Sequence, residues 1–232
     1  GASGSATHSS FADEQIVQAV WKQSVSRSKG EPPGPVDLVL ARIDEAAVLI
    51  ANAQRGLAIV DRRVSATGDF EYRYQVVQNV RPLRDGGIDF ELVKQPATDP
   101  LRMIGAIAPE IFGRYFDERS WLKITMGTVY PDSVVAMCRH MLWQPHLKAR
   151  AQVYAADLVV TANPGWQFNS YNRPGTAHGH PFVETMRMSF FVAGPNIRRG
   201  SIVTEPVRSV DLLPTILDMA GVPVAGEDFD GR

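Results

Sequence analysis

Residues 36–77 read VDLVLARIDEAAVLIANAQRGLAIVDRRVSATGDFEYRYQVV. Four short runs of aliphatic, β-branched and aromatic residues occur in this stretch. They are separated by turn-forming residues, namely acidic residues, an Asn/Gly-containing segment and a Thr-Gly-Asp segment. The runs are Val36–Leu40, Ala47–Ile50, Leu57–Val60 and Tyr72–Val77. Such runs, bounded by turn-forming residues, are typical of strands. The sequence therefore predicts a four-stranded meander, which we assign to a small β-rich lobe over residues 36–93.

The segment before this meander predicts a helix and a linker. Between Phe11 and Val25, apolar residues recur at the spacing of one helix face: Ile16, Val17, Val20 and Trp21. Residues Ser26–Pro35 contain three prolines and two glycines, a composition that neither continues a helix nor pairs in a central strand. Residues 1–35 are thus expected to form an N-terminal helix and linker.

The segment after the meander alternates between helix and strand patterns. A helix is predicted after Pro131–Ser133, a strand over Ala156–Ala162 and another strand over Met188–Pro195. A last helix is expected between Asp211, a capping residue, and Gly221, which suits a helix C-terminus. This alternation predicts an α/β layered fold for residues 94–232.

Composition narrows the classes of function. The 24 Lys and Arg residues against 25 Asp and Glu give no net positive field, so nucleic acid and anionic membranes are not expected partners. The longest apolar runs are shorter than the roughly 20 residues that span a bilayer, which predicts a soluble protein. The first ten residues have no starting Met and no pattern of a signal peptide, so we expect an internal piece of a longer protein, and the compartment stays open. Cys138 lies among apolar residues and is expected to be a buried structural thiol.

Two histidines lie in a run of small residues, Gly175–Pro181. His178 is flanked by Ala177 and Gly179, and His180 follows immediately. Small neighbours let an imidazole approach a metal closely, but no Cys or carboxylate lies at a zinc-ligand interval from His178, so spacing alone favours a surface turn. Aromatic residues such as Trp166 precede the histidines and suggest either a pocket wall or packing over a core edge.

Three stretches, two of which contain the residues just described, resemble the closing segment of the alkaline phosphatase superfamily. The resemblance is strongest to its type I phosphodiesterase/nucleotide pyrophosphatase and sulfatase-like branches. The first is Asp157–Val160 with Pro164–Trp166, and the second is Gly175–Gly179. The third is Met186–Pro195 followed by Val207–Leu217 and Ala220–Gly221. The resemblance implies the C-terminal part of an alkaline-phosphatase-like layered α/β domain.

Members of that superfamily hydrolyse phosphate or sulfate esters with two divalent metals, commonly zinc, and a Ser or Thr nucleophile. The resemblance implies that His178 is a metal ligand, with His180 as the alternative, and that Trp166 and Asn172 line the substrate pocket. The family's Asp-His-Gly and Asp-x-x-x-His motifs are absent from the 232 residues, so this chain supplies at most one metal ligand and no assignable nucleophile. Ser5–Ser9 could be the nucleophile segment, but the sequence favours a polar segment near a chain end without a catalytic role.

These observations predict part of a metal-dependent phosphoester hydrolase, acting on a phosphodiester or nucleotide pyrophosphate, that is inactive as an isolated chain. Its partners would be a small phosphate- or sulfate-ester substrate and a missing N-terminal catalytic portion. Whether the chain is itself an enzyme stays open. The alternative is a non-catalytic binding or structural module that retained the fold without the dimetal site.

Overall fold

The computed structural model describes residues 34–83, 88–139, 141–142, 156–168, 180–195 and 197–223. Within these ranges seven strands form one sheet. They are β1 Val36–Arg42, β2 Ala47–Asn52, β3 Gly56–Val64, β4 Phe70–Pro82, β5 Ile88–Leu92, β6 Tyr115–Asp117 and β7 Leu158–Ala162. The predicted helix over Phe11–Val25 and most of the linker lie outside the described residues.

The sheet is antiparallel, with strand order β5-β4-β3-β2-β1-β7. β6 pairs with the first residues of β4, whereas β5 pairs with its last residues. The first four strands follow one another as a meander, as the sequence predicts. Their register places Leu40 opposite Ile50, Ile50 opposite Ala58, and Val60 opposite Tyr74. Gly56 makes the β2–β3 turn possible, because its φ of +92° lies in the left-handed region that other residues rarely adopt.

Strand residues alternate between two faces of the sheet. On the first face, Leu40, Ile50, Val60 and Tyr74 join the main core cluster together with helix residues. On the second face, two smaller clusters contain Ile43, Leu49, Ile59 and Val77, and Val36, Val39 and Ala51. Both faces are therefore apolar and buried over the central part of β1 to β4, whereas Arg63, Val64 and most of β5 are exposed.

Four helices and two short 3₁₀ turns complete the described elements. The helices are α1 Glu118–Thr125, α2 Ser133–Arg139, α3 Val183–Met186 and α4 Leu212–Met219, and the 3₁₀ turns are Pro109–Ile111 and Ser209–Asp211. Asp117 caps α1 by accepting a 2.7 Å hydrogen bond from the Ser120 amide. The Trp121 indole of α1 is fully buried and donates to the Tyr72 carbonyl at 2.7 Å, which fixes α1 on the first face.

Helix α2 starts at Ser133, the last residue of the segment predicted to begin it. Val134, Met137, Cys138, Met141 and Leu142 are buried on the first face, as their spacing indicates. Burial raises the pKa of the Cys138 thiol, so the group stays protonated and unreactive at neutral pH. The predicted structural role of this cysteine agrees with its position.

The second predicted strand of the C-terminal segment is absent. Residues 188–193 lie in the described ranges but pair with no strand, and Met188 and Phe191 are 78% and 90% exposed. An apolar run forms a strand only where a sheet edge is available to pair with it, and no described edge reaches this run. The strand predicted over Ala156–Ala162 is present as β7, which is half-buried and lies at the end of the sheet order.

The fold is thus mixed α/β with an antiparallel sheet, which is compatible with a fragment of an α/β protein. The last helix ends as predicted, with Ala220 as its C-terminal cap and Gly221 at a φ of +72°. The main core cluster combines residues from 36–93 with residues from 94–232, and the division of the chain at residue 93 stays a prediction. No helix in the described ranges has both the length and the apolar character to cross a bilayer.

Candidate functional site

His180 lies where the described chain resumes, beside the N-terminus of α3. Its ring stacks on Phe182, with 6.2 Å between ring centroids, and Phe182 in turn lies 5.2 Å from the Tyr130 ring. The Thr185 hydroxyl donates to the His180 carbonyl at 2.5 Å, and the Val183 amide donates to the Val129 carbonyl at 3.0 Å. These contacts hold His180 against the segment that joins α1 to α2.

A buried carboxylate lies on the other side of Tyr130. Asp37 of β1 is fully buried and accepts a 2.9 Å hydrogen bond from the Arg55 guanidinium and a 2.7 Å hydrogen bond from the Tyr130 hydroxyl. Arg55 also donates to the Tyr130 hydroxyl and to the Pro100 carbonyl, each at 3.0 Å. Burial, with the charge of Asp37, raises the pKa of the Tyr130 hydroxyl, so Tyr130 remains a hydrogen-bond donor at neutral pH.

A second charged cluster holds the C-terminal segment. Arg208 donates to both carboxylate oxygens of Asp132, at 2.6 and 2.8 Å, and to the Glu118 carboxylate at 2.7 Å. Arg139 donates to the same Glu118 carboxylate at 3.0 Å. Burial raises the pKa of Asp132 although Arg208 opposes this shift. We call Arg208, Asp132, Glu118 and Arg139 the Arg208 cluster; it joins the segment before α4 to α1 and α2.

The loop after β7 carries the predicted pocket residue Trp166. Asn163 ties the start of this loop to the start of β1, because its side-chain amide donates to the carbonyls of Gly34 and Val36 at 2.6 and 2.9 Å. The Trp166 amide closes the following turn on the Asn163 carbonyl at 3.0 Å, and its side chain is 46% exposed. Asp157 is the first residue of the stretch that resembles the alkaline phosphatase superfamily, and it forms an ion pair with Arg42 on β1.

The predicted site residues are therefore only partly described. Trp166 and His180 have the surroundings given above, while His178 and Asn172 lie outside the described residues, so their roles stay predictions. In the described ranges, no three or more His, Cys, Asp or Glu side chains group together in a way that could hold a metal ion. The Asp37 carboxylate beside Tyr130 already accepts hydrogen bonds from Arg55 and Tyr130. The described residues alone do not fit a dimetal centre.

Sequence reasoning missed both charged clusters. A charged residue in the apolar run VDLVLA is a usable signal, because a carboxylate in a buried strand requires a charged partner, and this signal points to Asp37. Its partners Arg55 and Tyr130 lie 18 and 93 positions away and follow no local pattern. Arg208 lies in a motif that the resemblance covers, but its contacts to Asp132 and Glu118 arise only from the fold.

Two curated proteins match part of the chain. The extracellular sulfatase SULF-1 homolog of Drosophila melanogaster is 35% identical over 88 residues, which are 37% of this chain and 8% of the fly protein. The sulfatase ppz1 of Metarhizium majus (strain ARSEF 297) is 33% identical over 76 residues, 32% of this chain and 17% of the fungal protein. No protein-family model matches the chain. No solved structure matches it either.

The matched stretch thus spans a small part of each relative, and both relatives are sulfatases. This similarity supports a sulfatase-like hydrolase family within the wider alkaline-phosphatase-like superfamily, and no finer assignment. The nucleotide pyrophosphatase branch, the phosphodiesterase activity and the zinc dependence expected from sequence are not confirmed.

Proposed function

We propose that this chain is part of a sulfatase-like hydrolase and contributes to a site that cleaves sulfate or phosphate esters. The observation that carries the proposal is the identity with two sulfatases, at 35% and 33%. Both relatives are enzymes by name, so a non-catalytic module is not favoured. Because both relatives are named sulfatases, sulfate esters are the substrate class to test first, ahead of phosphodiesters and nucleotide pyrophosphates.

The distribution of apolar side chains supports a larger parent domain. Most of the exposed large apolar residues in the described ranges lie in residues 186–222, and Phe191 and Ile202 are each 90% exposed. Soluble proteins rarely expose so many apolar side chains in one segment unless they bind another surface. The proposed partner is the remaining catalytic portion of the hydrolase, on which this segment would complete an alkaline-phosphatase-like layered α/β arrangement.

The proposed site lies around the loop between β7 and α3. His178 would be a metal ligand, with His180 as the alternative, and Trp166 and Asn172 would line the substrate pocket. Bound divalent metals, zinc being the first candidate, would neutralise ester oxygens and lower the pKa of a nucleophile or water. The described residues contribute a scaffold: Asn163 anchors the start of the loop to β1, and the Phe182–Tyr130 stack supports His180 at its end.

The test uses the longer protein that contains this chain. We expect it to hydrolyse p-nitrophenyl sulfate faster than bis(p-nitrophenyl) phosphate, with metal added. His178→Ala should lower bound metal and turnover together by at least about tenfold, because even residues that only orient a metal ligand have effects of that size. His180→Ala should have a smaller effect on both quantities, and His146→Ala is the matched histidine control.

Three outcomes contradict parts of the proposal. Hydrolysis of neither ester by the longer protein would overturn the hydrolase assignment. Faster turnover of the phosphodiester would overturn the preference for sulfate esters. A greater loss of metal in His180→Ala than in His178→Ala would exchange the roles of the two histidines.

A further inference from the structure

The central part of the second face of the sheet is almost as deeply buried as the first. Leu49, Ile59 and Val77 are each 3% exposed, and Val39 and Ala51 are each 2% exposed. These residues belong to four neighbouring strands, β1 to β4, so the buried apolar area extends across most of the sheet. Leu158 and Val160 of β7 pack against the same area from the end of the sheet.

The described helices do not account for this burial. Helix residues such as Trp121, Val134 and Met137 join the cluster on the first face. The two clusters on the second face contain side chains from the strands and their immediate flanks, and none from a described helix. An open sheet buries an apolar face only by packing another layer against it. No described helix therefore covers the second face.

We propose that the predicted helix Phe11–Val25 covers this face. The described chain begins at Gly34, and β1 starts at Val36. Val36 is itself a member of the cluster on the second face that also holds Val39 and Ala51. Residues 1–33 thus join the fold beside the apolar surface that needs a cover.

The apolar pattern of the segment fits this surface. Ile16, Val17, Val20 and Trp21 occupy one side of the predicted helix, and charged or amide side chains such as Gln15, Gln18 and Lys22 occupy the other. A helix over residues 11–25 would be about 22 Å long. The four inter-strand spacings from β7 to β4 add to about 19 Å. One helix of this length is enough to cross the buried part of the second face.

The connection also allows this position. Residues 26–35 can span up to about 33 Å when extended, which exceeds the width to be crossed. The rival cover is residues 143–155, which connect the end of α2 to β7. That segment also carries apolar residues, including Trp143, Leu147 and Val153, so the experiment must separate the two.

Thiol labelling of the whole chain tests the proposal. Ile59→Cys places a thiol on the second face, and the native Cys138 lies in the core of the first face. Both thiols should be protected from a maleimide in the native protein. Adding Val17→Asp and Val20→Asp should speed labelling at position 59 at least tenfold while Cys138 stays protected, since only the second face loses its cover.

The matched control is Gln15→Asp with Gln18→Asp, which adds the same two charges to the opposite side of the predicted helix. Labelling at position 59 should be unchanged in this control. Continued protection of position 59 after the Val17→Asp and Val20→Asp changes would overturn the proposal. Release of position 59 by Leu147→Asp instead would assign the face to residues 143–155.

A milder pair guards against unfolding. If Cys138 is also labelled in the aspartate variant, the experiment is repeated with Val17→Ala and Val20→Ala. The thiol is then introduced by Ala51→Cys, a substitution that adds only one sulfur atom to the second face. Faster labelling at position 51 with Cys138 protected supports the proposal, and equal rates with and without the alanine changes overturn it. No readout depends on hydrolase activity, so the result is independent of the proposed function.

Discussion

At the scale of single residues, the described structure depends on polar groups that are buried and paired. Asp37 has no exposed side-chain area, and Arg55 is 14% exposed, so their ion pair lies largely away from water. The Arg63–Glu71 pair offers a comparison, because Arg63 is 57% exposed and the pair lies at the far end of β3. Burial of a charge is costly unless its partner is kept, whereas exposed pairs contribute little.

We therefore expect Arg55→Ala to lower the free energy of unfolding by about 3–5 kcal/mol, since it leaves the Asp37 carboxylate buried without its cation. Arg63→Ala, the matched control, should change it by about 1 kcal/mol or less. Urea denaturation followed by tryptophan fluorescence measures both values. Similar losses in the two variants would mean that the Asp37 site admits water and does not anchor β1 to the turn after β2.

At the scale of elements, α4 is attached to the rest of the structure mainly through charge. Pro214 is its one buried residue, and its neighbouring segment contacts α1 and α2 through the Arg208 cluster. The additional Lys123–Glu205 pair is about half exposed on both sides and is expected to add little. The position of α4 is thus set by Arg208 rather than by apolar packing.

Arg208→Met should release α4 while it keeps a side chain of similar length. Backbone amides of Leu212–Met219 are expected to exchange with deuterium at least about tenfold faster, because hydrogen bonds to charged groups contribute about 1.5–3 kcal/mol. Amides in β1 to β4 should change far less. Arg198→Met, at an exposed position, is the control. An equal acceleration in β1 to β4 would show instead that the Arg208 cluster is part of one cooperative core.

At the scale of the whole molecule, the burial of apolar residues is uneven. The central part of β1 to β4 is buried on both faces, whereas residues 186–222 present Phe191 and Ile202 almost fully to solvent. An apolar surface of this kind indicates an interaction site. The proposal that a hydrolase domain completes the structure therefore has a consequence for the isolated chain.

We expect the isolated chain to bind the dye ANS and to self-associate as its concentration rises. Phe191→Asp with Ile202→Asp should reduce the ANS fluorescence by at least about twofold, since apolar surface is what the dye binds. Val64→Asp, at another exposed apolar position on β3, should have little effect. Far-UV circular dichroism checks that the sheet persists. Unchanged ANS binding in the double variant would show that the exposed side chains of 186–222 do not form a joint apolar surface.

The sequence by itself determined the local elements whose causes are local. The apolar runs over residues 36–77 predicted β1 to β4, and Gly221 marked the end of the last helix, because side-chain alternation and backbone freedom act within a few residues. Asp211 directly precedes this helix, but its carboxylate accepts a hydrogen bond from the Arg208 amide and makes no capping bond to α4. It also supported the relation to sulfatase-like hydrolases, since the motifs that carry this resemblance are contiguous.

Only the tertiary structure decided which elements meet. Met188–Val192 has the composition of a strand but pairs with no described edge, because pairing depends on a neighbour and not on composition. β7 pairs with β1 across more than a hundred positions, and Asp37 finds Tyr130 93 positions away, contacts that no local pattern encodes. The physical reason is the same in each case: the free energy of burying a strand edge or a charge is set by the partner that the fold brings to it.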